Sequence, residues 1–292
     1  MNPSLRSLIL EARANNRAIG HFNVSNLDAI HAIVEAAEEL NVPVILGATE
    51  GEENYIDIEV LAAIVTALKK ESKVPVFLNA DHHYSFESVK KALDAGYDMA
   101  IIDLVKLPLE ENIQITKQCV DYARELGEKE GREILIEAEL GFIGSSSKML
   151  DSVPDGVGEA TMTTPADAKH FIDSTGIDLL APSVGNIHGM VKSGEPALHP
   201  ERVREIYEAT NIPMVLHGAS GNTDEDVRAC IEAGVAIVHI NTEIRVAYKD
   251  ALVKSLTEAN KDEVAPYKYL PMAKDAIKAV VLQKLKVFNN MK

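Results

Sequence analysis

The stretch LNADHHYSFE (78–87) closes an apolar run with an aspartate and two histidines, Asp81, His82 and His83. Two more histidines follow runs of the same character, His188 in NIHG and His217 in LHGASG. Three imidazoles, His82, His188 and His217, delivered from three separate segments suit Zn²⁺ with its fourth position left open for a reacting ligand. The spacings are too long for a local metal motif, so on spacing alone a hydrogen-bonded polar network competes with the metal site. Asp103 and Glu139 end other apolar runs, as groups that orient the imidazoles or ligate a metal at an alternative position. The segment HGASGNTDED (217–226) carries a different chemistry. Gly218, Ser220 and Gly221 lead into Thr223, a good helix N-cap with Asp226 three residues on, so backbone N–H groups and a helix N-terminus are available to a phosphate. A glycine-rich turn serves a plain βα loop equally well, and its place beside His217 is what favours the phosphate.

The elements that must position these groups are eight short runs rich in Val, Ile and Ala, each followed by a segment of helical periodicity. The runs are AIGHFNV (18–24), PVILGAT (43–49), PVFLNAD (75–81), MAIIDLV (99–105), EILIEAEL (133–140), DLLAPSVG (178–185), PMVLHGAS (213–220) and AIVHINT (236–242). Runs two, three and seven begin at Pro, where a missing N–H does least harm to a strand. DAGYD, STGID and EAGVA place Gly after a helix and before the next strand, as a C-cap requires. Alternating β and α with nearly continuous apolar strands predicts parallel strands covered on both faces, and eight units predict closure. The expected fold is α/β: a single (β/α)₈ TIM barrel over 1–292, with a short N-terminal helix and a C-terminal helical extension. An open doubly wound sheet would call for a GxGxxG turn, which the chain lacks. The polar residues then gather where the strands end, at the face on which barrels place their active sites. Two long connections, 141–163 and 186–198, lie on that face, and loops of such length tend to be functional or disordered.

A chain of 292 residues with a formal charge of -16 does not suit a nucleic-acid backbone as partner, since counterion release needs clustered Lys and Arg. No run approaches the roughly 20 apolar residues of a membrane span, and the opening MNPSLRSLILEARANN reads as an amphipathic helix, so a cytoplasmic protein is expected. Cys119 and Cys230 are isolated and suggest neither a disulfide framework nor a four-cysteine zinc site.

These segments resemble the class II, metal-dependent fructose-bisphosphate aldolases and their tagatose-bisphosphate relatives over nearly the whole chain. AIGHFNVSNLDAIHAIVEAAEELNVPVIL, DHHYSFESVKKALDAGYDMAIID, EAELGFIG, GNIHGMVK, LHGASG and INTEIR fall in the family's order. The resemblance implies that Asp81 is the catalytic acid/base, that His82, His188 and His217 hold Zn²⁺, and that Asp103 and Glu139 match a second divalent-metal position. It implies phosphate binding at Gly189, Gly218, Ala219, Ser220, Asn241 and Thr242, with a monovalent cation (Na⁺ or K⁺) nearby, and at His239 by position. Asn23 and Thr49 match substrate-contacting positions. Arg245 matches an arginine that, in one branch, reaches across a subunit interface to the distal phosphate. A homodimer or homotetramer acting on sugar phosphates is implied.

The chain departs from the family pattern at three places. His239 stands where Asn is usual. The loop after strand five reads GSSSKML where a glutamate is common, with Asp151, Asp155 and Glu159 as the nearby carboxylates. Tyr267 stands where some members carry an arginine. Asn241 and Arg245 favour fructose 1,6-bisphosphate over the tagatose branch, which tends to have Ala and Lys there. The alternatives are a tagatose-1,6-bisphosphate or other ketose-1-phosphate aldolase and, in a different class, an inactive sugar-phosphate-binding protein. A metal-barrel hydrolase would need two histidines one residue apart after strand one, where the chain has His21, Phe22 and Asn23.

Overall fold

The structure, a computed structural model, describes residues 3–144, 149–153, 158–192 and 197–291. Its strands are β1 (Ile19–Asn23), β2 (Val44–Thr49), β3 (Val76–His83), β4 (Met99–Ile102), β5 (Leu135–Leu140), β6 (Met149–Leu150), β7 (Leu179–Pro182), β8 (Met190–Val191), β9 (Met214–Leu216) and β10 (Val235–Ile240). Eight of them close a parallel barrel in the order β1, β2, β3, β4, β5, β7, β9, β10 and back to β1. This is the expected (β/α)₈ architecture.

Because side chains alternate along a strand, each barrel strand supplies one row to the interior and one to the helical layer. Ile19, Ile45, Met99, Leu135, Leu179, Val215 and Ile237 fill the lower interior. Leu5 and Ile9 of the N-terminal helix Leu5–Ala14 close that end, and Arg6 pins the helix to Asp178 at 2.6 Å. The alternate residues, among them Phe22, Leu46 and Leu78, are buried against the helices. Each such side chain contributes about 1.5–3 kcal/mol by leaving water. The C-terminal helix Pro271–Phe288 packs on Leu27–Leu40, and Phe288 accepts the Ala18 N–H at 2.9 Å beside the start of β1.

Local signals act as their chemistry requires. Asn26, Ser85, Thr164 and Thr223 cap the helices that follow them, and Gly176 and Gly234 follow helix ends at positive φ. Six of the eight strand ends differ from the expected runs, three of them with a bearing on the site. The third strand runs on to His83, through a register shift against β4 between Ala80 and His83. The fourth stops at Ile102, leaving Asp103 just beyond it. The seventh barrel strand, β9, stops at Leu216 because Gly218 turns the chain with φ +62, and a Cβ there would lie 2.1 Å from the Ile187 carbonyl oxygen. The two long connections meet each other: β6 and β8 pair Met149 with Met190 and Leu150 with Val191 outside the barrel.

Candidate active site

Period-two alternation carries polar residues up the interior above its apolar floor. Phe77 is followed inward by Asn79 and Asp81, Leu135 by Glu137 and Glu139, and Ile19 by His21 and Asn23. His82 should then point away from Asp81, since neighbours in a strand face opposite ways. The bulge in β3 removes that constraint: His82 has φ +49, a left-handed conformation unusual for a non-glycine residue, and the Asp81 and His82 side chains lie beside one another, with His82 Nε2 3.8 Å from Asp81 Oδ1. His83 continues the strand and pairs instead with Glu53 at 3.3 Å.

His188 comes from the connection after β7 and is placed by backbone contacts. Its N–H donates to Ile143 O at 2.8 Å, and Asn186 Nδ2 donates to His217 O at 2.9 Å, tying the two histidine loops together. His82 Nε2 and His217 Nδ1 lie 3.0 Å apart. The remaining nitrogens meet carboxylates, His82 Nδ1 at Asp103 Oδ2 (3.2 Å) and His217 Nε2 at Glu137 Oε1 (2.7 Å). Glu139 Oε2 sits 3.8 Å from His82 Nδ1 and 4.0 Å from His188 Nε2, and no hydrogen bond satisfies it.

Four acidic side chains, Asp81, Asp103, Glu137 and Glu139, thus sit in and around the barrel interior with imidazole nitrogens as their nearest polar partners. Such burial of charge is costly unless it is compensated. Burial works against a charged His82, yet Asp81, the hydrogen bond to Asp103 and Glu139 together push it up to about 10. Burial raises Glu139 well above the usual carboxylate range, helped by Asp103, and does the same to Glu137 with Asp81 adding to it. Burial and the charge on His82 hold His217 down to about 3 and keep His188 neutral as well. His82, His188, His217 and Glu139 present one ligand atom each within 4.8 Å of one another. Three imidazole nitrogens beside an unsatisfied carboxylate oxygen are a donor set that fits a divalent cation, and Zn²⁺ by ligand type.

Asp81 is held from two sides. Its Oδ2 accepts from Asn23 Nδ2 at 2.8 Å; its Oδ1 makes no hydrogen bond and lies 3.5 Å from His239 Nδ1. Although burial pushes the other way, His82 and the contact with His239 keep this carboxyl well below its ordinary value, so it is ionised. His239 stacks on His21, with ring centroids 3.5 Å apart and planes 7° from parallel. Gly47 makes room for the pair, because a Cβ there would lie 2.1 Å from His21 Cε1. Burial drives His21 down to about 3 and His239 well below the usual range, so the stacked rings are neutral at physiological pH.

The inner pocket is lined by Asn23, Thr49, Asp81, His82, His188, Gly189, His217, Gly218, Ser220, His239, Asn241 and Thr242. At the end formed by the HGASG turn the pocket keeps Gly218 and Ser220 on its lining, but the helix after that turn does not face it. Thr223 caps its own helix, Asp224–Ala233, and the Gly221 N–H is taken by Glu243 Oε1 at 2.8 Å. The helix N-terminus on the pocket is that of Thr242–Lys254, whose N-cap Asn241 makes no side-chain capping bond, so its first N–H groups are available to an anion. Outward from this pocket, past Thr49, His82 and His188, opens a cavity of about 400 Å³ that Tyr84, Asp103, Lys106 and Arg245 also line. Of the residues expected to bind phosphate, Ala219 is buried within the turn and does not line the inner pocket.

The family model for class II fructose-bisphosphate aldolases matches residues 3–292. The chain belongs to that family. It is 38% identical over 288 residues to a fructose-bisphosphate aldolase of Staphylococcus epidermidis, covering 98% of this chain and 96% of that protein. It is also 38% identical over 290 residues to a probable fructose-bisphosphate aldolase of Bacillus subtilis, covering 98% and 97%. Among solved structures it resembles the YdjI aldolase from Escherichia coli K12, with TM-score 0.83 and 31% identity over 99% of this chain and 97% of that one. As a class II aldolase it is a carbon–carbon lyase.

In this class II aldolase the connection after β5 carries three carboxylates, Asp151, Asp155 and Glu159. Asp151 is exposed and paired with Lys192 at 2.7 Å. Asp155 lies outside the described residues, as does the side chain of Glu159. Tyr267 is 77% exposed in the short helix Pro266–Tyr269. Three contributors were not assigned roles from sequence: Glu137 behind His217, His21 behind His239, and Glu52. The first two carry a signal in hindsight, since each stands two residues from a site residue on the same strand face, Glu137 before Glu139 and His21 before Asn23. Glu52 stands in a helix, three residues past the N-cap Thr49, where a capping box is its obvious reading.

Proposed function

We propose that this aldolase reversibly cleaves fructose 1,6-bisphosphate to dihydroxyacetone phosphate and glyceraldehyde 3-phosphate. The observation that carries the proposal is the placement of an ionised Asp81, with one free oxygen, 3.8 Å from the nitrogen of His82 that faces the three-imidazole cluster. His82, His188 and His217 hold Zn²⁺, with Glu139 beside them and Asp103 orienting His82; Asp103 and Glu139 also provide the second divalent position. Bound there, Zn²⁺ supplies a Lewis acid for the oxygens on which charge develops. Asp81 takes the proton of the C4 hydroxyl as the C3–C4 bond breaks; C4 becomes the aldehyde carbon, and the bonding pair remains on C3, which takes up a proton from water to complete dihydroxyacetone phosphate. In condensation Asp81 returns the proton to the new C4 oxygen. Gly189, Gly218, Ala219, Ser220, Asn241 and Thr242 bind the C1 phosphate, with Na⁺ or K⁺ nearby, and fix the reacting carbons through remote binding. Asn23 and Thr49 contact the substrate, His239 walls the site beside Asp81, and Arg245 stands at the distal end.

The whole chain, 1–292, acts as one catalytic domain, as a homodimer or homotetramer in the cytoplasm. Among the described residues no helix is long and apolar enough to cross a membrane. A coupled assay for dihydroxyacetone phosphate release from fructose 1,6-bisphosphate and tagatose 1,6-bisphosphate, before and after chelation, tests the proposal. Cleavage of the fructose ester that disappears with the metal and returns with zinc is expected. Preference for the tagatose ester would move the assignment to that branch. Phosphate-ligand binding without turnover of any ketose phosphate would make the protein a sugar-phosphate-binding protein.

A further inference from the structure

Glu52 is buried, and its two carboxylate oxygens have separate tasks. Oε2 accepts the Thr49 N–H at 2.9 Å, the Thr49 hydroxyl at 3.0 Å and Asn23 Nδ2 at 3.0 Å. The same Asn23 amide also donates to Asp81, so one NH₂ group spans the two carboxylates. Oε1 accepts only from Arg245 Nη2, at 2.5 Å. Arg245 is the one guanidinium lining the outer cavity among the described residues, and Lys106 the one ammonium; Glu50 and Asp103 line it as well.

On the aldolase reading, Arg245 is the group that meets the far end of a ketose phosphate held at a Thr242 helix N-terminus, in its own site or across the subunit interface. An anionic group arriving there meets a guanidinium already neutralised by Glu52, and must displace that buried carboxylate to gain a full charge partner. We infer that Glu52 is a specificity-determining residue: by engaging Arg245 it weakens the advantage of a distal phosphate, so that the enzyme separates ketose 1-phosphates from ketose bisphosphates only slightly. The inference rests on the aldolase reading above and concerns the far end of the same substrate.

The split between the two oxygens makes Glu52→Gln a selective probe. A glutamine that keeps its carbonyl oxygen at the Oε2 position still serves Thr49 and Asn23, while its amide nitrogen meets Arg245 as a second donor and releases it. The quantity to measure on the zinc-loaded enzyme is the ratio of kcat/KM for fructose 1,6-bisphosphate to that for fructose 1-phosphate. Freed for a charge-assisted bond, Arg245 should raise that ratio about tenfold in Glu52→Gln. Arg245→Met should change the ratio less than about threefold in the wild-type background and remove the gain in the Glu52→Gln background. An unchanged ratio in Glu52→Gln, a gain that survives loss of Arg245, or a large fall in the ratio for Arg245→Met alone overturns the inference. If the wild type cleaves neither ester, the aldolase reading fails; the same ratio, read as calorimetric Kd values for the two esters, then still decides the role of Glu52.

Discussion

His82 Nε2 and His217 Nδ1 face one another across 3.0 Å, and each ring turns its other nitrogen to a carboxylate, Asp103 for His82 and Glu137 for His217. Carboxylates behind metal-facing imidazoles fix tautomer and orientation. Replacing the Glu137 carboxyl by an amide in Glu137→Gln should therefore weaken zinc affinity about 10–100-fold. Competition against a chromophoric chelator measures this without recourse to turnover, and an affinity within a factor of two of the wild type would show that Glu137 does not orient His217.

Metal binding must also displace protons. In the metal-free protein His82 keeps its proton up to about 10, above its ordinary 6.5. A raised histidine contributes stability that is complete below the unfolded value and is lost as pH rises through the folded one; Glu137 and Glu139, also raised by burial, have the same sign. The melting temperature of the chelated protein should therefore fall as pH climbs from 6.5 toward about 10, and the increment produced by zinc should grow over the same window. Calorimetric titration of zinc in buffers of different ionisation enthalpy should register release of at least one proton at neutral pH.

Asp81→Ala removes the group placed to move the C4 hydroxyl proton and leaves the three imidazoles in position. Turnover should fall at least about 100-fold, the scale of general acid–base catalysis. Zinc content, read by atomic absorption, should be retained. Turnover near the wild-type rate would transfer the proton role to another residue.

Lys284, buried in the C-terminal helix, lies 3.0 Å from Glu243 Oε1, the atom that accepts the Gly221 N–H of the turn beside the phosphate end. Lys284→Met leaves Glu243 without its cation and should cost about 1–3 kcal/mol in urea unfolding. It should also raise KM for the ketose phosphate more than it lowers kcat, because the turn is held less firmly. Equal losses in both parameters would place the effect elsewhere.

Much of the site was legible in the residues. The eight apolar runs, the glycines after the helices and the polar residues at the strand ends are local signals of periodicity and turn chemistry, and they suffice to place His82, His188 and His217 at one barrel mouth. What escaped them depends on contacts between distant segments. The bulge that lets Asp81 and His82 face the same space arises from the register of β3 on β4, with His82 at φ +49. The exchange of Thr223 for the Thr242 helix as the anion-facing N-terminus depends on which loop reaches the pocket.

By itself the sequence determined the barrel and the direction in which its polar residues face, because strand alternation and helix capping are short-range; roles for the three imidazoles and for Asp81 came from it only through the resemblance to the aldolase family. The tertiary structure alone decided which carboxylate backs which imidazole, that the His21 ring stacks on His239, and that Arg245 is held by Glu52, 193 positions away in the chain. Such pairings follow from barrel closure, which brings β1 against β10 and lets the start of the helix after β10 meet the start of the helix after β2 across the barrel mouth; no local pattern of residues encodes them.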